Sequence, residues 1–275
     1  MVPSEKDPSA SAGNEAGASL PDISGMTVKE IREYVAGARP EPGDSLWRTL
    51  SADPRSGVRG LCERMLRARA AVRASAEREA SMRRWEVGLW EQGVELVAGV
   101  DEAGRGPLAG PVVAAAVILP RELEIEGIDD SKKLTSQRRE SYYERIMRDA
   151  LAVGVGQVSE SVIDEINILN ATHRAMTEAL DDLGVSPGHV LVDGARVPSI
   201  EVPQTGINQG DGRSTVIAAA SIIAKVTRDR LMVKMEERYP GYGFARHKGY
   251  GTPEHMSALL RLGPCEIHRR SFRIV

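Results

Sequence analysis

Two short runs of β-branched and small apolar residues, at positions 94–100 and 111–119, most constrain what this chain can fold into. Glycine and proline flank both runs, which is typical of strands buried in a sheet. Similar signals predict further strands at 153–158, 189–192 and 199–202, and helical periodicity predicts helices at 163–183, 214–238 and 253–262. Strands that alternate with helices in this way indicate an α/β fold.

The chain before residue 94 has a different composition. Residues 1–25 are rich in Ser, Ala, Gly, Pro and acidic residues and have little to bury, so we expect a disordered tail. Thr27 and Glu30 form a capping-box pattern that predicts the start of a short helix. We therefore divide the chain into this tail, a helical, Arg-rich N-terminal extension at 26–93, and an α/β domain at 94–275.

The segment 55–84 carries a marked excess of positive charge, with nine Arg against three Glu. Its composition favours a helix, and it contains no proline. Arg can bind phosphate through two parallel hydrogen bonds, which favours a basic arm that contacts a nucleic-acid backbone. A solvated helix face with Glu–Arg pairing accounts for the same pattern, so both interpretations stay open.

Whole-chain properties exclude several classes of protein. The net charge of −3 excludes a uniformly basic nucleic-acid binder, so any phosphate binding must be local. Cys62 and Cys265 lack the spacing of a zinc site or a disulfide framework. The longest apolar runs, 112–119 and 216–224, are too short to cross a membrane, and the N-terminus does not resemble a secretion signal. We expect a cytoplasmic protein without a membrane partner.

Carboxylates follow two of the predicted strands at the point where each strand ends. Asp101 and Glu102 end the first strand, and Asp193 ends the run 190–192. Ligand sites of α/β sheets collect at such strand ends, and the glycines after each carboxylate allow close approach of a ligand. Taken singly, Asp101 with Glu102 could be a solvated strand end, and Asp193 could be a turn residue.

A third element supplies a polar stripe on an otherwise apolar helix. Ser221, Lys225 and Asp229 are spaced at i, i+4 and i+8, so they share one helix face. A Lys–Asp surface pair would explain part of this stripe, but its apolar surroundings favour a stripe that borders a site. Four carboxylates without Cys or His ligands indicate a hard cation, Mg²⁺ or Mn²⁺, and suit a two-metal site for phosphodiester hydrolysis.

Together these residues resemble the type 2 ribonuclease H family, specifically ribonuclease HII. The matching segments are 101–111 (DEAGRGPLAGP), 130–134 (DSKKL), 191–194 (LVDG), 221–229 (SIIAKVTRD), 247–252 (HKGYGT) and 267–272 (IHRRSF). Residues 26–95 resemble, less specifically, the helical N-terminal extension of some bacterial members. One departure lies at Arg213, where the family more often has Lys, and because the charge is kept we expect at most a retuned phosphate contact.

The resemblance implies an RNase H-like fold, with a mixed central sheet flanked by helices and a helical C-terminal part. It implies that the metal ligands and catalytic residues are Asp101, Glu102, Asp193 and Asp229. It also implies the substrate-binding residues, which are Gly104, Arg105 and Gly106 at the ribose 2′-hydroxyl, Tyr250 on the sugar at the RNA–DNA junction, Lys132, Lys133, Lys225 and Arg213 toward phosphates, and Ser221 beside the site.

The expected activity is hydrolysis of RNA in RNA–DNA hybrids and cleavage on the 5′ side of single ribonucleotides in duplex DNA, which leaves 3′-hydroxyl and 5′-phosphate ends. The protein is expected to act as a monomer on these duplexes. Three alternatives fit part of the pattern: a non-catalytic hybrid-binding protein, a four-carboxylate DNA exonuclease, and a ribonuclease HIII. Asp229 and the Arg-rich helical extension argue against the last, whose pattern has Glu at that position and a sheet-containing N-terminal domain.

Overall fold

The computed structural model describes residues 22–272, apart from residues 124, 126, 129, 130, 132 and 133. Within these limits the chain forms two compact units, which divide between Ala74 and Ser75. The predicted division at residues 93 and 94 remains a prediction. The predicted tail falls mostly at 1–21, outside the described residues, whereas Ile23 is buried in the first unit. In the part of the chain that is described, no helix is long and apolar enough to cross a membrane.

The first unit is helical. Helix α1 spans Val28–Ala38, α2 spans Ser45–Ala52, and α3 begins in this unit and spans Ser56–Glu91. Both halves of the capping box between Thr27 and Glu30 are present, which confirms the predicted helix start. A small core that includes Ile31, Leu50 and Val58 holds the three helices together.

The second unit is built on a five-stranded mixed sheet. Its strands are β1 (Val97–Ala103), β2 (Val112–Ile118), β3 (Ala152–Val158), β4 (His189–Asp193) and β5 (Gln204–Ile207). Their order is β3-β2-β1-β4-β5, in which β2 is antiparallel to both β3 and β1, and β4 is parallel to both β1 and β5. The expected α/β architecture with a mixed central sheet is therefore confirmed.

Helices cover both faces of this sheet. They are α4 (Ser136–Asp149), α5 (Glu160–Asp181), α6 (Thr215–Arg238), α7 (Phe244–His247) and α8 (Pro253–Leu262), with a short 3₁₀ helix at Gly210–Gly212. Side chains alternate along β1, so Val97 faces the core shared with α6 while Ala98 and Val100 face the core shared with α5. Gly99 lets α6 approach β1 closely, because a Cβ there would clash with the Val216 backbone.

Two predicted elements differ from the structure. The strand predicted at 199–202 is wrong: this stretch is irregular, and the strand lies at Gln204–Ile207. The Gln204 side chain bonds the backbone of Val197 and Ile200, which holds the preceding turn out of the sheet. The helix predicted at 163–183 is interrupted at Asn167, whose φ of 66° is left-handed. Its side chain accepts from the amides of Leu169 and Asn170 and so restarts the helix.

Candidate active site

Three carboxylates meet at one edge of the sheet. Asp101 lies on β1, Asp193 ends the neighbouring strand β4, and Asp211 lies in the 3₁₀ helix at Gly210–Gly212. The two strands are parallel and Val100 pairs with Val192, so the next residue of each strand is a carboxylate. One oxygen atom from each of the three side chains lies within 4.8 Å of the other two. This group has the size and the donor chemistry of a divalent-cation site.

Asp101 is the central member of this group and is 4% exposed. Burial raises the pKa of its carboxyl well above the usual value, and the negative charges of Glu102 and Asp193 raise it further. A hydrogen bond with the Ser221 side chain and one from the Glu102 amide (N–Oδ1 2.7 Å) act in the opposite direction. Like charges held this close in a buried place are stabilised by a bound cation.

Glu102 has a different position from its neighbour. Strand β1 continues to Ala103, so successive side chains keep their alternation, and Glu102 is not a member of the three-carboxylate group. Its charge nevertheless acts on Asp101, and its Oε1 lies 3.4 Å from a guanidinium nitrogen of Arg105. Glu102 therefore borders the group on the side of the glycine-rich turn.

The polar stripe of α6 divides into two parts. Ser221 is buried, bonds Asp101, and lies 2.9 Å from the hydroxyl of Ser131. One turn further on, Lys225 Nζ donates to Asp229 Oδ1 over 2.7 Å. Asp229 is not in the three-carboxylate group, and it lines a neighbouring cleft of about 470 Å³. The Lys225–Asp229 ion pair, one of the two interpretations of this stripe, is thus present, and the Ser221 end of the stripe reaches the site.

The glycine-rich turn that follows β1 is held by two buried arginines. Gly104 has a φ of +97°, and a Cβ there would clash with the Arg228 side chain. The Arg269 guanidinium donates to the carbonyls of Gly104 (2.6 Å) and Arg105 (2.9 Å), and Arg228 Nε donates to Pro111 O (2.9 Å). Because these guanidiniums bind backbone carbonyls on the inside of the loop, its shape is fixed by the core.

Tyr250 stands next to this turn. The residue is 42% exposed, and its Cε1 is 3.8 Å from the place a Cβ on Gly106 would occupy. Lys225 Nζ and Arg228 Cζ each lie 6.0 Å from the centre of the ring. The ring is therefore positioned between the Gly106 turn and the polar stripe of α6.

The remaining residues predicted to contact phosphates are Arg213, Lys132 and Lys133. Arg213 is exposed, and its Nη1 donates to Asn208 O over 3.2 Å. Lys132 and Lys133 lie outside the described residues. The structure thus brings together Asp101, Asp193 and Ser221, with Glu102 at the border.

Two buried acidic residues, one in the site and one at the start of the helix beside it, have no strong sequence signal. Asp211 sits in a glycine-rich loop that is locally typical of a turn, and only the sheet geometry brings it to Asp101. Glu86 lies in the Arg-rich helix α3 and is 1% exposed. Its Oε1 accepts from the Ser214 hydroxyl (2.8 Å) and the Val216 amide (3.0 Å) at the start of α6. Burial raises the pKa of its carboxyl.

Comparison with known proteins agrees with these features. The model of the family described as "Ribonuclease HII" matches residues 98–275, and the model of "Ribonuclease HII N-terminal domain" matches residues 27–90. Ribonuclease HII of Geobacillus thermodenitrificans is 50% identical over 246 residues, which are 90% of this chain and 94% of the relative. Ribonuclease HII of Bacillus subtilis is 48% identical over 247 residues, 90% of this chain and 96% of the relative.

Solved structures show the same similarity in three dimensions. Ribonuclease H2 from Pyrococcus horikoshii superposes with a TM-score of 0.55 at 31% identity and covers 65% of this chain and 94% of its own. Ribonuclease HII from Archaeoglobus fulgidus, solved in complex with PCNA, gives a TM-score of 0.57 at 27% identity. The superposition covers 66% of this chain and 96% of the Archaeoglobus chain.

Proposed function

This chain belongs to the ribonuclease HII family, and we propose that it cuts both RNA–DNA hybrids and duplex DNA that contains a single ribonucleotide. Membership of the family makes it a nuclease and a hydrolase of the ribonuclease H type. The finer proposal is cleavage on the 5′ side of the ribonucleotide, with 3′-hydroxyl and 5′-phosphate products. The observation that carries it is the three-carboxylate group, which lies on the side of the sheet where the Gly104–Gly106 turn follows β1.

The residues present fit a divalent metal centre. The gathered donors are carboxylate oxygens, the ligands that Mg²⁺ and Mn²⁺ prefer, and burial of Asp101 beside like charges favours a cation. We propose that Asp101 and Asp193 hold the metals and that Glu102 and Asp229 complete their shells. Two such ions would activate water for attack on the phosphodiester and stabilise the leaving oxygen.

Substrate selection is proposed to rest on the turn and the tyrosine beside it. Gly104, Arg105 and Gly106 would contact the ribose 2′-hydroxyl, the group that distinguishes RNA from DNA. The buried Arg269 guanidinium donates to the carbonyls of Gly104 and Arg105, which suits a rigid contact to a small group. Tyr250 is exposed beside Gly106 and would pack on the sugar at the RNA–DNA junction.

Charged groups around the site are proposed to hold the phosphate backbone. Lys225 lies 6.0 Å from the Tyr250 ring, so it could reach a phosphate next to the selected sugar. Lys132, Lys133 and Arg213 are proposed for phosphates further along the strand, and Ser221 for the floor of the site. The protein is proposed to act as a cytoplasmic monomer whose partners are the duplexes themselves.

A labelled duplex with one ribonucleotide tests the proposal. With Mg²⁺ or Mn²⁺ the wild type should cut once, 5′ of the ribonucleotide, and should leave an all-DNA duplex intact. Asp101→Asn should abolish cleavage and keep the fold, while Asp181→Asn, at an exposed position on α5, should cut normally. Binding without any cleavage would support a hybrid-binding protein instead. Stepwise shortening from an end, without dependence on the 2′-hydroxyl, would support a DNA exonuclease.

A further inference from the structure

Three buried histidines lie behind the Tyr250 turn. His247 ends α7, His255 belongs to α8, and His268 lies in the C-terminal segment. They are 8%, 0% and 4% exposed, and they pack around Phe244. Buried imidazoles need a hydrogen-bond partner on each nitrogen, and these partners determine which nitrogen carries the proton.

His255 has one possible neutral arrangement. Its Nδ1 lies 2.9 Å from the carbonyl oxygen of Tyr250, which can only accept, so Nδ1 carries the proton. The other nitrogen, Nε2, is then bare and lies 3.0 Å from Nε2 of His268. A bare nitrogen at that distance needs a donor, so the His268 Nε2 carries a proton.

The arrangement of His268 follows from this contact. Its Nδ1 is bare and accepts from the Cys265 amide over 2.9 Å. The alternative is donation from Nδ1 to Cys265 O or to Cys265 Sγ, each at 3.2 Å, which would leave two bare nitrogens facing each other unless one ring took a second proton. Burial opposes a second proton, since it lowers the pKa of His255 to about 4 and that of His268 below its usual value.

A directed chain therefore ends on Tyr250. It runs from the Cys265 amide to His268, from His268 to His255, and from His255 to the Tyr250 carbonyl. His247 holds the same turn from the other side, because its carbonyl accepts from the Tyr250 amide over 3.0 Å. Both backbone polar groups of Tyr250 are thus tied to buried histidines, while its ring is exposed beside Gly106.

We propose that His255 and His268 are positioning residues that set the Tyr250 ring against the sugar of the ribonucleotide through this directed chain. The inference rests on the proposed function, because it assigns the chain to the substrate contact made by Tyr250. Neither histidine touches the reacting atoms, so their contribution is the orientation of one side chain. Small displacements of a group that contacts the reacting sugar are costly, so the chain should affect turnover on ribonucleotide substrates.

The first test reads the protonation pattern directly. In ¹⁵N-labelled wild type, long-range ¹H–¹⁵N spectra should show His255 protonated on Nδ1 and His268 protonated on Nε2. The Nδ1–H form of His255 is the distinctive signature, because it requires the bond to the Tyr250 carbonyl. His255 protonated only on Nε2, or a His268 protonated only on Nδ1, would overturn the proposal.

The second test is a double-mutant cycle with Tyr250. His255→Leu removes the donor and should lower kcat/KM for a single-ribonucleotide duplex about tenfold. His255→Asn, whose amide can donate near the Nδ1 position, should recover most of this loss. In a Tyr250→Ala background the His255→Leu substitution should have little further effect. His189→Leu is the matched control, since His189 bonds Thr205 on the sheet instead.

The outcomes separate the two proposals. If wild type does not cut the ribonucleotide duplex, the proposed function fails. If wild type cuts but His255→Leu costs as much in the Tyr250→Ala background as alone, the chain acts on stability and the inference fails. If His255→Leu does not fold, the ¹⁵N pattern of the wild type still decides the question.

Discussion

Glu86 Oε1 and the Ser214 hydroxyl lie 2.8 Å apart and join the C-terminal part of α3 to the first turn of α6. The same oxygen accepts from the Val216 amide, so a side chain from another helix satisfies an amide of the first α6 turn. Helix α6 carries Ser221, which bonds Asp101, and Asp229 two turns later. An anchor at its N-terminus therefore fixes a helix on which the site depends.

Loss of this anchor should destabilise the protein. Glu86→Ala leaves a buried hydroxyl and a buried amide without their acceptor, which should cost about 2 kcal/mol of unfolding free energy. Glu86→Gln keeps an acceptor without the buried charge and should cost less. Urea unfolding measures both, and Glu91→Ala, at an exposed position on the same helix, is the control. Equal stability of Glu86→Ala and wild type would contradict the anchoring role.

Asp101 should destabilise the metal-free protein and stabilise the metal-bound one. The pKa of Asp101 in the folded state is above the usual value, so its own contribution to metal-free stability is largest at low pH and falls as pH rises through the folded-state pKa. At pH 7, Asp101→Asn should raise the melting temperature in EDTA by about 3 °C. Mn²⁺ should raise the melting temperature of wild type but not of this variant. A variant that melts lower than wild type in EDTA would show that the repulsion is not significant.

Asp211 should tune metal affinity. Its carboxylate lies within 4.8 Å of Asp101 and Asp193, so it adds negative charge beside the proposed ligands. Asp211→Asn should weaken metal binding about tenfold, with activity restored by excess metal. Titration of cleavage rate against Mn²⁺ concentration measures the shift. A loss of activity that saturating metal does not restore would assign Asp211 a direct part in the reaction.

Exposed arginines of α3 are expected to contribute to hybrid binding by neutralising phosphates. Changing Arg64, Arg67 and Arg84 to Gln removes three charges from exposed positions of the helix. For each phosphate that is no longer neutralised, the slope of log affinity against log salt should become shallower by about 0.9. Anisotropy titrations in EDTA measure this slope. The triple change of Arg148, Arg174 and Arg238, which are exposed elsewhere, is the charge-matched control. An unchanged slope would favour a solvated helix face.

The buried histidine chain should make the protein sensitive to acid. Burial lowers the pKa of His255 from 6.5 to about 4 in the folded state. Its contribution to stability is therefore present above pH 6.5 and is lost as pH falls from 6.5 through about 4, by at most about 3 kcal/mol. Urea unfolding across this range should show a smaller pH dependence for His255→Asn than for wild type. Parallel curves would indicate that the pKa of His255 is not lowered in the folded protein.

Elements with local signals were predictable from the sequence. Thr27 with Glu30 marks the start of α1, and Ser214 caps α6 at the residue where the predicted helix began. The strand runs around Asp101 and Asp193 carry enough apolar, β-branched residues to be identified without neighbours. The prediction that Asp193 ends its strand is confirmed, whereas the prediction for Asp101 is wrong because β1 continues to Ala103.

Other features depend on contacts between distant residues. Asp211 joins the site only because β5 pairs with β4 and β4 pairs with β1, so that the loop after β5 lies beside Asp101, which no local pattern encodes. In the sequence, Glu86 is one more charged residue on a basic helix, and its role depends on the contact with the start of α6. The interruption at Asn167 lacks glycine or proline. Residues 199–202 alternate polar and apolar side chains as a strand does, although hydrogen bonds from Gln204 hold their turn outside the sheet.

The carboxylate site forms only when β1 and β4 pair in the correct register. Val100 pairs with Val192, and a slip of one residue would turn the side chains of a whole strand to the opposite face. Such a slip would expose the apolar core and separate Asp101 from Asp193 in one step. A chain that has folded in the wrong register should therefore have no partial nuclease activity. Specific activity per folded molecule can serve as a measure of correct strand register.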